Sequence, residues 1–187
     1  METGLPFERT RSRILQVNHA GECGAIAIYG AQISLSFLLP AETRQFLRHA
    51  VGHEREHAAK FRAAMKARGI RPLPCTMFWV CGGFLLGLIS LFGGNRGVMA
   101  CTAAIEQAVH GHLDEQIAWL RGRDEHLATV ISGILVEEIQ HKEHGEAGFD
   151  PECALAAAYT GMIRKITDGL IWLTTYGDSA RLKHAMQ

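Results

Sequence analysis

Two acidic residues stand where a helix ought to be apolar. Glu22 is the only carboxylate between Glu8 and Glu42, inside VNHAGECGAIAIYGAQISLSFLL, and Glu106 is the only acid between Glu56 and Asp114, inside VMACTAAIEQAVHGHL. A helix this apolar is buried around most of its circumference, and an unpaired buried carboxylate is expensive. Each glutamate therefore either points to solvent along a narrow polar stripe or binds something positive. The chain also holds two ExxH segments, Glu54-Arg55-Glu56-His57 and Glu138-Ile139-Gln140-His141. At positions i and i+3 the two side chains leave one helix face about a turn apart, so both can reach one metal ion. With ten histidines in the chain, a motif this short arises readily by chance.

The spacing adds to it. Glu22 to Glu54 is 32 residues, and so is Glu106 to Glu138. In an antiparallel helical hairpin, residues equidistant from the turn sit at one height. The midpoint of the first pair is position 38, beside Pro40, and that of the second is Gly122. Each hairpin thus brings a lone glutamate level with an ExxH. Two hairpins face to face place four carboxylates and two imidazoles in one core, an inventory that two carboxylate-bridged iron ions satisfy. This is the pattern of ferritin-like di-iron and di-manganese bundles. The expected metal ligands are Glu22, Glu54, His57, Glu106, Glu138 and His141.

A rival motif overlaps the first segment. His53-Glu54-Arg55-Glu56-His57 also fits HExxH, the zinc metalloprotease signature with two histidine ligands and a glutamate base. That reading needs a third ligand and leaves Glu22, Glu106 and the second ExxH without a role. Among the other histidines, His19 is placed to hydrogen-bond a ligand carboxylate, and His110 shares the face of Glu106. His112 reads as a core or rim residue, and His49, His126, His144 and His184 as solvated. The five cysteines, Cys23, Cys75, Cys81, Cys101 and Cys153, lie among apolar neighbours and read as small hydrophobes.

The elements that must position these residues are helices. Breakers are few and regularly spaced, which predicts helices over 14–39, 41–68, 78–92, 96–120, 125–149 and 152–176, with Gly69 as a C-cap and 121–124 as a turn. No segment alternates like a strand, so the fold expected is all-α, a four-helix bundle with an additional short apolar helix and a C-terminal helix, in one domain over 1–187. Gly21 and Gly24 inside the first helix predict a close helix–helix approach there.

Composition excludes several classes. Nineteen basic and nineteen acidic side chains give no net charge, which argues against a nucleic-acid partner. A 48% hydrophobic share argues against disorder. An odd number of cysteines without CxxC spacing fits reduced thiols better than a disulfide framework. The first residues, METGLPFERTRSRILQ, contain no apolar segment of the secretory kind.

One stretch is unusual. From Pro72 to Asn95, 24 residues carry no charge. Its apolar block, FWVCGGFLLGLISLF over 78–92, reaches only about 22 Å as a helix, short of the ~30 Å of a hydrocarbon core. It reads as a segment over 76–94 that docks in one leaflet, with Trp79 near the interface and Arg71 and Arg96 at the headgroups; a core helix or a dimer seam are the alternatives.

Taken in order, VNHAGECGAIAIYGAQ, HEREHAAKF, ACTAAIEQAVHGHLDEQI and EEIQHKEHGE resemble the 5-demethoxyubiquinone hydroxylases of ubiquinone biosynthesis, over about 13–176. The resemblance implies a peripheral membrane monooxygenase with two iron ions that uses O2 and reducing equivalents from NADH to hydroxylate the ring of a polyprenylated quinone intermediate. It implies the same six ligands, a location on the cytoplasmic face of a bacterial inner membrane or the matrix face of the mitochondrial one, and a homo-oligomer or other ubiquinone-biosynthesis proteins as partners. Cys23, where tyrosine follows HAGE in many members, and Leu113 depart from the pattern. Ferritin-type iron oxidation and manganese catalase chemistry share the ligand logic and stand as alternatives, with the apolar block against both.

Overall fold

The computed structural model describes residues 6–180, so His184 lies outside the described residues. The chain folds into α1 (Phe7–Ser34), α2 (Ala41–Ala67), α3 (Thr76–Leu91), α4 (Gly94–Leu120), α5 (Glu125–Ala147) and α6 (Ala154–Thr174), with a single 3-10 turn at Ser36–Leu38 and no strand among the described residues. The two hairpins α1–α2 and α4–α5 pack as a four-helix bundle, α3 lies along α1, and α6 lies along α4.

The expected boundaries hold to within a few residues except in the first helix, which runs from Phe7 to Ser34, with a 3-10 turn after it, rather than over 14–39. Pro6 precedes the first turn with φ −59, a conformation proline adopts freely, and Glu8 meets the positive end of the helix. Phe7 stacks on Trp119 with ring centroids 5.6 Å apart, which ties the added turns to α4. At the second hairpin, Gly122 takes φ +74, a left-handed conformation that favours glycine, and Asp124 caps α5 by accepting the Leu127 amide at 3.0 Å.

Apolar packing closes the bundle at both ends. One cluster gathers Leu15, Phe61, Met65, Leu120 and Ile131; the other gathers Tyr29, Leu47, Val51, Val98 and Met99. Between them the interior is polar, and there Glu22, Glu54, Glu106 and Glu138 stand.

The apolar block has two faces. Trp79, Gly83, Gly87 and Ser90 turn inward onto α1. A Cβ on Gly83 would run into the Gly24 carbonyl, and one on Gly87 into the Ile28 carbonyl, so these glycines let two backbones touch. The close approach expected at Gly24 is real, because a Cβ there would stand 3.2 Å from the Trp79 carbonyl; Gly21 needs no such room. Trp79 is therefore not at an outer interface but only 8% exposed, in a buried cluster with Val17, Ala20, Leu73 and Ile171. The exposed face carries Met77, Phe78, Phe84, Leu85, Ile89 and Phe92. No helix among the described residues is long and apolar enough to cross a membrane. Of the cysteines, Cys101 is buried in the core, whereas Cys81 and Cys153 are exposed, contrary to their reading as small hydrophobes.

Candidate metal centre

Four helices deliver the six expected residues to one place. α1 contributes Glu22, α2 Glu54 and His57, α4 Glu106, and α5 Glu138 and His141, all buried. Donor atoms of Glu22, Glu54, His57 and Glu138 lie within 4.8 Å of one another, and so do those of Glu54, Glu106, Glu138 and His141. The groups share Glu54 and Glu138. Each group has one imidazole and one carboxylate of its own, so the arrangement could hold two adjacent cations, with Glu54 and Glu138 common to both groups.

The donor set fits cations better than it fits itself. His57 Nδ1 lies 3.0 Å from Glu138 and 3.8 Å from both Glu22 and Glu54, and His141 Nδ1 lies 3.3 Å from Glu54 and 3.4 Å from Glu138. Yet both Nδ1 atoms, Glu54 Oε1 and Glu138 Oε2 are buried without a well-formed hydrogen bond. Lone pairs that converge without pairing leave room for an ion between them. Charge agrees: burial, reinforced by neighbouring carboxylates, pushes Glu22 and Glu106 well above the usual carboxylate range. Burial also works against ionised Glu54, but His141 and His57 outweigh it and hold that carboxyl down at about 2. Two divalent cations would match four carboxylate charges and remove the cost of burying them.

The outer nitrogens of both histidines are engaged. His57 Nε2 lies 3.0 Å from Glu137, and His141 Nε2 lies 3.1 Å from His53 Nδ1. His53 itself is 3.5 Å from Glu137, and Lys60 is 3.8 Å from the same carboxylate. Partners of this kind set which nitrogen of a ligand histidine faces the metal. His53 is absent from both donor groups, so the pair of histidine ligands that HExxH requires does not form here. Burial works to raise the Glu137 carboxyl, but His57 above all, with Lys60 and His53, outweighs it and holds the group below its usual range.

Two residues escaped the sequence reading. Tyr29 donates from its hydroxyl to Glu106 at 2.9 Å, and Glu137 was passed over as the neighbour of a ligand. The spacing of Tyr29, seven residues after Glu22 on one helix face, was the available signal. His19 corrects another expectation: it is buried with its Nδ1 unpaired and makes no hydrogen bond to a ligand carboxylate. Burial and, after it, Arg62 lower its pKa. His110 turns away to Asp114 at 3.1 Å. His112 lies on the wall of a cavity, and His49, His126 and His144 are exposed.

That cavity, about 280 Å³, has Glu22, Glu54, Glu106 and Glu138 at its floor and otherwise mostly apolar walls from α1, α3, α4 and α6. Leu85 and Ile89 of α3 and Met162 and Ile166 of α6 line it while being 45–62% exposed, so its mouth opens between those helices.

The family model described as ubiquinone biosynthesis protein COQ7 matches residues 9–174. The mouse (Mus musculus) NADPH-dependent 3-demethoxyubiquinone 3-hydroxylase, mitochondrial, is 35% identical over 161 residues, 84% of this chain and 72% of the relative. The 3-demethoxyubiquinol 3-hydroxylase of Rhodospirillum rubrum is 32% identical over 162 residues, 87% of this chain and 76% of the relative. That of Bordetella pertussis is 30% identical over 171 residues, covering 89% and 75%.

Proposed function

This chain belongs to the ubiquinone biosynthesis protein COQ7 family, and on that footing we propose that it hydroxylates the ring of a demethoxyubiquinone-type polyprenylated substrate with two iron ions and O2. The observation that carries the reading is the six-residue buried cluster whose four carboxylates form the floor of an apolar cavity. A centre for iron storage needs no such cavity, and hydrogen peroxide needs none so apolar. The residues that would hold the metals are Glu22 and His57 on one side, Glu106 and His141 on the other, with Glu54 and Glu138 between.

When bound, the iron pair supplies the redox chemistry that reduces O2 and delivers one of its atoms to the ring. The stoichiometry is a ring C–H, O2, two electrons and two protons, giving a ring C–OH and water. The protein supplies the rest. The apolar walls exclude water and fix where the ring lies. Tyr29 holds one oxygen of Glu106 by its hydroxyl, and Glu137 and His53 hold the two imidazoles by their outer nitrogens. The electrons come from a reduced nicotinamide cofactor. The resemblance suggested NADH, whereas the names of the mitochondrial relatives specify NADPH.

The substrate's tail requires access from lipid. The helices on either side of the mouth present further exposed apolar side chains, Phe78 and Phe84 of α3 with Phe92 just after it, and Leu155, Trp172 and Leu173 of α6. Docking of this face on a bilayer, peripherally, lets a polyprenyl quinone enter without crossing water. The exposed Arg71 and Arg96 at the ends of the apolar stretch suit lipid headgroups.

The test is a single turnover of iron-loaded chain, chemically reduced, with demethoxyubiquinone bearing a short prenyl tail under 18O2. The expected product gains one 18O atom in the ring. Turnover of hydrogen peroxide with no ring product would contradict the assignment.

A further inference from the structure

The cavity wall is not uniformly apolar. Apart from the four carboxylates it carries Asn18, His112, Gln116 and Thr167 as polar side chains, and the indole of Trp79. His112 is already held, 3.2 Å from Asp168 and 3.7 Å from Glu115. Two of the remaining features are not fully used by the protein.

The first is the Trp79 Nε1–H. Trp79 is 8% exposed, and this donor has no partner. Indole N–H groups are donors only, and buried ones almost always find an acceptor. Here the residue lines a cavity, and the wall around it is apolar.

The second is an amide pair across α1 and α4. Asn18 Nδ2 donates to Gln116 Oε1 at 2.7 Å, and Gln116 Nε2 donates back to Asn18 Oδ1 at 3.1 Å. This uses one hydrogen and one lone pair of each amide and leaves one of each over. Gln116 is 5% exposed, so its spare valences have little access to bulk water, while Asn18 is half-buried.

The two features line the same cavity as the four carboxylates. Asn18 precedes Glu22 by four residues on α1, about 6 Å along the axis on the same face. Trp79 shares a buried cluster with Val17 and Ala20 of the same turns, and its Cζ3 is 3.9 Å from where a Cβ of Gly21 would stand. We propose that the Trp79 indole N–H and the Asn18–Gln116 amide pair form the subsite for the ring oxygens of a para-dioxygenated aromatic substrate, holding its ring one helical turn from Glu22.

The chemistry of the three groups selects this class. Trp79 donates to a carbonyl or phenolic oxygen. The amide pair donates a free N–H to a carbonyl or accepts from a phenol, so the quinone and the quinol are both accommodated. A plain hydrocarbon ring satisfies neither feature. The tail leaves past Leu85, Ile89, Met162 and Ile166, which carry no polar group.

This inference rests on the cavity being the substrate site, and the experiment separates the two. The full-length chain is titrated calorimetrically in a mild detergent with 2-geranyl-1,4-benzoquinone and with geranylbenzene, which has the same tail and ring without the oxygens. The parent is expected to bind the quinone at least about 10-fold more tightly, as a site built to hydrogen-bond an oxygen rejects the analogue lacking it. Trp79→Phe, which keeps an aromatic ring but loses the N–H, and Gln116→Met are each expected to cut quinone affinity about 5-fold, leaving geranylbenzene within about 2-fold. In iron-loaded protein the same variants are expected to raise KM more than they lower kcat. If Gln116→Met fails to fold, Trp79→Phe decides alone. A quinone preference that survives in the variants, or a parent that binds both probes equally, overturns the subsite while leaving the cavity as the substrate site. A parent that binds neither probe overturns the cavity reading and the subsite with it.

Discussion

His141 turns its Nε2 onto the Nδ1 of His53, 3.1 Å away across the seam between α2 and α5. With Glu137 3.5 Å from His53 and 3.0 Å from His57, one chain of contacts joins the outer nitrogens of both candidate ligand histidines. The residue that makes the sequence look like a zinc protease is the residue that meets the outer nitrogen of His141. His53→Ala is expected to lower iron affinity about 10-fold or more, the usual scale for losing an outer partner of a ligand histidine, without abolishing binding. Competition against a colorimetric chelator measures this. A complete loss of metal would restore His53 as a ligand.

A stability prediction comes from the opposite end of the bundle. Asp124 caps α5 and receives Arg68 at 2.9 and 3.3 Å, with Arg11 at 3.5 Å. Burial opposes its charge, but the Leu127 amide and Arg68 outweigh it and hold the carboxyl below its ordinary value of 3.8. A depressed folded pKa stabilises the fold above the unfolded value, and that contribution is lost as pH falls through the folded one. Asp124→Ala is expected to cost about 2 kcal/mol at pH 7. The gap between variant and parent in urea melts should close as pH drops below 3.8.

Membrane docking is best probed where the cavity is not touched. Phe78 and Phe92 are 74% and 92% exposed, and neither lines the cavity. Phe78→Glu with Phe92→Glu should leave fold and iron content intact, and abolish co-sedimentation with anionic liposomes. Turnover of detergent-dispersed short-chain quinone should stay within about 2-fold of the parent, since uniform delivery and not chemistry is altered. Unchanged pelleting would contradict a bilayer on this face.

The clustering of the six candidate residues was legible in the sequence because a buried carboxylate has few excuses and because hairpin geometry converts a repeated offset of 32 into a shared height. The helices were legible for a similar reason, proline and glycine marking nearly every end. What escaped depends on contacts between distant segments. Nothing local distinguishes Glu137 from any helix-surface glutamate until α2 places His57 3.0 Å away. Tyr29 and Glu106 are 77 positions apart and Asn18 and Gln116 are 98 apart, so their hydrogen bonds exist only once α1 and α4 are packed. Trp79 was misplaced because an apolar run has no visible inside. Its inner face is set by the glycine spacing at 83 and 87, which permits backbone contact with α1. The first turns of α1 were missed because their charged residues lack apolar periodicity; Phe7 finds its partner on α4.

The central claim is a pair of metals sharing Glu54 and Glu138, and anaerobic Fe(II) titration with Mössbauer detection tests it most directly. The parent is expected to bind two iron ions per chain in an exchange-coupled pair after oxidation. Glu106→Gln, which keeps a hydrogen-bond acceptor for Tyr29 but removes a ligand charge from one side only, is expected to fall to about one tightly bound iron and to lose the coupling. Two coupled irons retained in Glu106→Gln, or a single uncoupled metal in the parent, would contradict the account.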